Sequence, residues 1–455
     1  MDASRSLCTI ISTLICLASL VCTWSGMSNS TDGIVNRHGL LPDGMEYWIR
    51  VPANWNGVLL NDLDAGIYLH YNTSQAAIWT ENGYAFSGTS RRADRITKFD
   101  PRAERNQQAQ VIELFAEEFG CPKTTIQFGC SGGGGVALGV AEAYPDLVDG
   151  AISANGGEGL VMANQRLDLL FTLKALIAPN SSLPLVGISY EERESAGQAW
   201  IETLDKALNT TAGRARILVA ASIAQVPKWG GAAEPYLAKP DPNDEDAVLE
   251  AMLRSTTDSA AAAVSVRYLY DSPAGVMSWN TGINYTSLFE TADATQRELT
   301  ARIYKEAGLD LAADLQAIET YPRVPRNETA IAYWTERALT GNPLVPVLQV
   351  TTVGDATRSS ALLAAYAAGV EKNGKGELYR QAVVDYPGHC TWNTLEMMAS
   401  LQALLFRLET GSWGNITSPT VMNELGKSFR HNQTEQARFT DPRVLSQKNN
   451  REFFP

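Results

Sequence analysis

From about residue 45 onward, short apolar runs alternate with stretches of helical period. Met45–Val51, Val58–Asn61 and Tyr84–Ser87 read as strands. Asp100-Pro101 then opens a helix whose apolar positions Ile112, Phe115, Ala116 and Phe119 recur at i, i+3, i+4 and i+7 and which stops at Gly120. Thr124–Gly129 predicts the next strand, Gly132–Tyr144 a helix, and Val148–Ser153 another strand. Alternation of this kind predicts an α/β fold with a mostly parallel, doubly wound sheet.

The pattern changes after Gly156. Residues 157–342 are nearly all helical in character, with Ala-rich stretches such as Ser259–Tyr270. The α/β alternation resumes with strand Val345–Val350, helix Ser359–Lys372, strand Tyr379–Asp385 and helix Asn393–Leu408. Residues 26–156 and 343–455 are thus expected to form one core, and 157–342 a large helical lid inserted into it. Within that lid, Trp229 and Trp279 sit in Gly- or Pro-flanked settings and are candidate substrate-binding residues. The polar tail beyond Ser412 is expected to wrap the surface.

Composition narrows the partners. Acidic residues outnumber basic ones 50 to 37 over 455 residues, giving a net charge of -13. A nucleic-acid partner would need a basic stripe that this balance argues against. The expected ligand is a small-molecule substrate, with neither cofactor nor metal.

The amino terminus predicts the compartment. Arg5 precedes a mostly apolar run, Leu7–Cys22, followed by small residues at Thr23–Gly26. This is the layout of a secretory signal over residues 1–25, cleaved after Ser25, with no stable membrane association afterwards. An uncleaved anchor is the alternative, and the run is short for one. Glycosylation sequons at Asn29, Asn72, Asn180, Asn209, Asn284, Asn327, Asn415 and Asn432 agree with secretion. Outside the leader remain Cys121, Cys130 and Cys390, an odd set that suggests one bridge and one leftover thiol.

The chemistry centres on Gly129-Cys130-Ser131-Gly132-Gly133, a Gly-x-Ser-x-Gly sequence between a predicted strand and a predicted helix. A nucleophile on such a turn is pushed out above the sheet, and its neighbours must be small for strand and helix to approach. The following helix offers its amino-terminal dipole and the Gly132 N–H to an oxyanion. A serine hydroxyl needs a base. Of four His, His38 and His70 precede the elbow and His431 sits in the polar tail, whereas His389 follows a predicted strand in Tyr386-Pro387-Gly388-His389-Cys390. The acid is expected just past the preceding strand, at Asp355, and Asp385 is the rival.

The cysteines give an independent check. Cys130 precedes the candidate nucleophile and Cys390 follows the candidate base. A Ser131–His389 contact would bring them within disulfide range. In an oxidising compartment that bridge is worth about 2–4 kcal/mol.

The Cys-Ser…Asp…His-Cys arrangement resembles that of fungal tannases and feruloyl esterases, whose adjacent cysteines form a disulfide beside the triad. A wider resemblance, to secreted bacterial and fungal α/β-hydrolases, spans most of residues 45–455. It is carried by Val51–Gly57, the elbow, Ser278–Gly282, Thr352–Asp355, Gly388–Cys390 and Ala437–Phe439. The resemblance implies an α/β-hydrolase fold and a carboxylic ester hydrolase using Ser131, His389 and Asp355 through an acyl-enzyme.

One segment departs from the pattern. Many hydrolases carry His-Gly after the third strand to complete the oxyanion hole, and here that loop reads Asn61-Asp62-Leu63-Asp64-Ala65-Gly66. Backbone donors at Asp62 and Leu63 can still serve, but two carboxylates beside an oxyanion would oppose it unless they point away or bind something. The alternatives to ester hydrolysis are a lyase, cyclisation or rearrangement on a secondary metabolite, and a catalytically dead binding protein.

Overall fold

A computed structural model gives the fold and describes residues 24–29, 33–70, 73–157, 159–358, 361–429 and 435–441. Residues 1–23 of the expected leader, and the sequons at Asn72 and Asn432, lie outside the described residues.

Ten strands form one sheet: β1 Trp24–Asn29, β2 Val35–Leu40, β3 Glu46–Val51, β4 Val58–Asp62, β5 Ala85–Thr89, β6 Thr124–Cys130, β7 Gly150–Ala154, β8 Val347–Gly354, β9 Tyr379–Pro387 and β10 Phe439–Thr440. Their spatial order is β1-β2-β3-β5-β4-β6-β7-β8-β9-β10. The run from β5 through β4, β6, β7 and β8 to β9 is parallel; β1, β2, β3 and β10 pair antiparallel at the two edges. β1 starts at Trp24, so its first two residues overlap the segment expected to be cleaved.

The central strands are covered on both faces, which is why β4, β5 and β7 are buried at every position. Neighbours in one strand serve opposite layers. Leu60, Ile152 and Leu348 pack toward the helix Thr394–Thr410, through Met398, Leu401 and Leu404. Leu59 faces Val111 and Phe115 of the helix Pro101–Phe119. Ala151 and Val347 face Val136, Val140 and Tyr366. β3 instead buries alternate residues Tyr47, Ile49 and Val51, as an antiparallel strand with one covered face does.

The helix Pro101–Phe119 begins where the sequence predicts, with the Asp100 side chain accepting from Arg102 N and Ala103 N. It ends at Gly120, whose φ of 84° an L-residue rarely adopts. Its buried face also carries polar groups. Gln108 accepts from Asn61 Nδ2 at 3.0 Å and donates to Thr89 Oγ1 at 2.7 Å, so strands and helix share a satisfied buried network.

Between β7 and β8 every named element among the described residues is a helix. These helices have a core of their own, including Leu167, Phe171, Trp200, Ile217, Met252, Tyr285 and Ile318. The chain returns to the sheet past Glu142, whose carboxylate accepts from Thr340 N, Gly341 N and Asn342 N. The carboxy-terminal tail does more than wrap the surface. It forms the helix Pro419–Lys427 and adds β10 to β9, with Arg438 paired at 2.8 Å to the buried Glu396.

Candidate active site

The turn between β6 and the helix Gly132–Ala143 carries Ser131 at φ 59°, a conformation that is costly for a non-glycine residue. The turn is made possible by absent side chains. A Cβ on Gly129 would lie 2.5 Å from the Gly133 carbonyl, and one on Gly134 2.6 Å from Ala154 O. Ser131 N donates to Ala154 O at 2.9 Å, which ties the elbow to β7. The serine side chain stands at the end of the sheet with the first helical turn of amides behind it.

β8 ends at Gly354, and Asp355 follows with 1% of its surface exposed. Its Oδ2 lies 2.7 Å from His389 Nδ1. Its Oδ1 accepts from Thr357 N and Arg358 N, both at 2.8 Å. His389 follows β9, and two bonds clamp its loop to the acid loop: Gly388 N to Gly354 O at 3.0 Å and Thr352 Oγ1 to Gly388 O at 2.6 Å. The far nitrogen of the ring, Nε2, is buried without a hydrogen-bond partner. One imidazole nitrogen is therefore oriented by a carboxylate, and the other remains able to accept a proton. Asp385 is held elsewhere, by Lys239 Nζ at 2.6 Å.

Cys130 and Cys390 are bridged, with Cα atoms 6.1 Å apart. The disulfide joins the residue before Ser131 to the residue after His389 and so fixes the spacing of elbow and base loop. Cys121 is disulfide-bonded as well, and its partner lies outside the described residues. The expectation of a leftover thiol at Cys121 is therefore corrected.

The two acids of the Asp62–Asp64 turn are dealt with separately. Asp64 is bound in bidentate fashion by Arg91, through Nε and Nη2, each at 2.6 Å. Asp62 accepts from Asp64 N at 3.0 Å and is fully buried. Burial first, and the charge of Asp64 second, push its carboxyl well above the usual carboxylate range, favouring its neutral form. The turn sits against the elbow: a Cβ on Gly133 would lie 3.4 Å from Asp62 Oδ1 and 3.6 Å from Leu63 Cβ. Leu63 thus lies against the first turn of the helix after Ser131, with Asp62 favoured in its neutral form and Asp64 paired to Arg91.

A cavity of about 50 Å³ opens beside Gly132, lined by Phe99, Glu104, Tyr270, Trp334 and Arg358 among others. Neither of the two Trp expected to bind substrate lines it. Trp229 donates its Nε1 to Leu237 O at 2.8 Å, and its backbone packs on Gly354. Trp279 is 8% exposed and lies under the Arg326 guanidinium. Both are engaged within or beneath the helical insertion.

Sequence reasoning also missed Asn155, the residue after β7, at φ 43°. Its Nδ2 donates to Asp355 Oδ2 at 2.6 Å and to Thr352 Oγ1 at 3.1 Å. Asn is among the few side chains that tolerate this backbone region, which was the available signal. Of the described sequons, Asn180, Asn209, Asn284, Asn327 and Asn415 are all exposed; the side chain of Asn29 is not described. Among the described residues, no helix is long and apolar enough to cross a membrane.

Residues 36–167 match the tannase-like family of unknown function DUF6351. The o-phthalyl amidase of Xanthobacter agilis is 32% identical over 425 residues, covering 88% of this chain and 92% of that protein. Two solved structures are more distantly similar. Feruloyl esterase B from Aspergillus oryzae has a TM-score of 0.41 at 11% identity, over 90% of this chain and 91% of that one. Tannin acyl hydrolase from Aspergillus niger has 0.39 at 13%, over 86% and 82%. The chain belongs to the family of the Xanthobacter agilis o-phthalyl amidase.

Proposed function

We propose that the protein is a secreted serine hydrolase that cleaves a carboxylic ester or amide through an acyl-enzyme. The observation that carries this reading is the Cys130–Cys390 disulfide, which joins the residue before a strained Ser131 to the residue after a His389 whose Nδ1 is committed to Asp355 and whose Nε2 is uncommitted. Ser131 Oγ attacks the acyl carbonyl while His389 Nε2 takes its proton. Gly132 N–H and Leu63 N–H hold the oxyanion. The imidazolium then protonates the leaving oxygen or nitrogen, and water reverses the sequence to release the acid. Asp355 keeps the ring in the tautomer that this requires.

An ester is the bond the triad alone suggests, and the amidase among the relatives supports an amide as well. The neutral form of Asp62 and the pairing of Asp64 to Arg91 remove the electrostatic objection to an oxyanion at this loop. Secretion is supported by the amino-terminal pattern, the disulfide and the exposed sequons. We further propose that the helices of residues 157–342 cap the site as a separate lid.

A fluorophosphonate probe tests the nucleophile. Labelling mapped to Ser131, with hydrolysis products gaining one water by mass, is the expected result. Absence of labelling in folded protein, or an isomeric product, would sink the reading.

A further inference from the structure

His389 stands between two residues in the left-handed region, Gly388 at φ 91° and Cys390 at φ 58°. The Cys390 side is fixed by the disulfide to Cys130. The Gly388 side has no covalent anchor, and glycine alone does not enforce one conformation. Its N–H is bound to Gly354 O and its carbonyl to Thr352 Oγ1. A third contact comes from the helical insertion.

Residues 229–239 of that insertion cross both loops that carry the acid and the base. Gly231 N donates to Gly354 O at 3.2 Å, the same carbonyl that accepts from Gly388 N at 3.0 Å. Gly231 and Asp355 form a parallel bridge. The approach leaves no room for side chains: a Cβ on Gly354 would lie 2.6 Å from Trp229 O, and one on Gly230 would lie 2.8 Å from the Gly354 carbonyl carbon.

Among residues 232–239, Tyr236 alone is not exposed. Its ring packs on both glycines whose amides share the Gly354 carbonyl. A Cβ on Gly231 would lie 2.9 Å from Tyr236 Cδ1, and one on Gly388 would collide with the Tyr236 hydroxyl and lie 2.6 Å from Cζ. Tyr236 also meets Tyr386 edge-on, with ring centroids 6.0 Å apart. The segment is tied back to its own side of the molecule. Trp229 Nε1 donates to Leu237 O at 2.8 Å, and Ala232 N to Asp258 Oδ2 at 3.3 Å.

We propose that Tyr236 is a positioning residue for the triad. Packed across Gly231 and Gly388, it keeps the Gly388 N–H on Gly354 O and so holds His389 at the spacing that proton transfer needs. This rests on the reading of Ser131, His389 and Asp355 as the triad. The insertion then sets the geometry of the base as well as covering the site.

The test compares full-length Tyr236→Ala and Tyr236→Phe with wild type, with turnover of a nitrophenyl ester referred to sites titrated by a fluorophosphonate. Tyr236→Ala should lower kcat per titrated site about 10- to 100-fold, with KM within about threefold. Tyr236→Phe keeps the ring and should retain most of the rate. A merely structural tyrosine would lower the melting temperature and the active fraction while kcat per site stayed at the wild-type value. That outcome overturns the proposal, as does a loss in Tyr236→Phe equal to that in Tyr236→Ala.

Amide exchange separates this failure from failure of the hydrolase reading. Read by mass spectrometry, peptides spanning Gly388 should exchange on the order of 10-fold faster in Tyr236→Ala than in wild type, with peptides spanning Val58–Asp62 of β4 unchanged. That result upholds the clamp even if Ser131 takes no probe. Unchanged exchange at Gly388 rejects it, and equal acceleration in both regions would assign Tyr236 a role in global stability instead.

Discussion

Asn155 Nδ2 and His389 Nδ1 meet the same atom: Asp355 Oδ2 lies 2.6 Å from the first and 2.7 Å from the second. The acid is thus aimed by a side chain 200 residues earlier in the chain. Asn155→Gly keeps a residue that accepts a φ of 43° and removes the amide. We expect kcat to fall about 10- to 100-fold with KM within about threefold, as for loss of a group that orients the base without touching substrate. An equal change in both constants would argue against a positioning role.

Ser131→Ala should lower kcat by at least about 10³-fold while leaving the melting temperature unchanged. The turn is secured by Gly129, Gly134 and the Ser131 N–H, none of which the substitution removes. Steady-state kinetics beside a thermal melt decide the matter. Asp355→Asn should be severely impaired and Asp385→Asn much less so, because only the first carboxylate faces the imidazole.

Paired Cys130→Ser and Cys390→Ser substitutions should cost about 2–4 kcal/mol of stability and reduce kcat more than they raise KM. The bridge holds the base loop at the elbow, so its loss loosens the geometry of proton transfer before it affects binding. Peptide mapping without reduction should return a Cys130–Cys390 peptide.

Asp62 gives stability a pH dependence opposite in sense to that of a salt-bridged acid. Its carboxyl is raised in the folded state, so the unfolded chain releases the proton first as pH climbs past about 4. Above that point the folded state binds more protons than the unfolded one, and stability declines until the folded group ionises as well. Asp62→Asn removes this component. Its melting temperature relative to wild type should be higher at pH 8 than at pH 4.5. The reverse order would mean that Asp62 is ionised and held by Arg91.

Trp279→Ala should cost about 3 kcal/mol, as removal of a buried indole does, and should leave kcat/KM of the folded protein unchanged. Trp334→Ala should change kcat/KM in folded protein, because Trp334 lines the cavity beside Gly132.

Much of the core was legible in the sequence because its signals are local. Strand boundaries at Val58, Thr124 and Tyr379 follow from apolar runs between turns, and the observed strands start at those residues. The elbow is a contiguous motif, and Asp355 and His389 each stand just past a strand end. Other groups left no local trace. Asn155 acts across two strands of the sheet, a property of three-dimensional surroundings. β10 is two residues long, and its pairing depends on Arg438 finding Glu396. Trp229 and Trp279 are marked in the sequence by Gly and Pro neighbours, which signal turns, whereas the cavity takes its rings from Phe99, Tyr270 and Trp334.

The Cys130–Cys390 bridge spans 260 residues, and the whole helical insertion lies inside that covalent ring. A protease that clips an exposed loop there cannot separate the nucleophile from the base. The nicked protein would still migrate as one species until a reductant opened the ring, with Ser131 and His389 retained at its closure. The bond amounts to insurance against cleavage at exposed connections of the insertion.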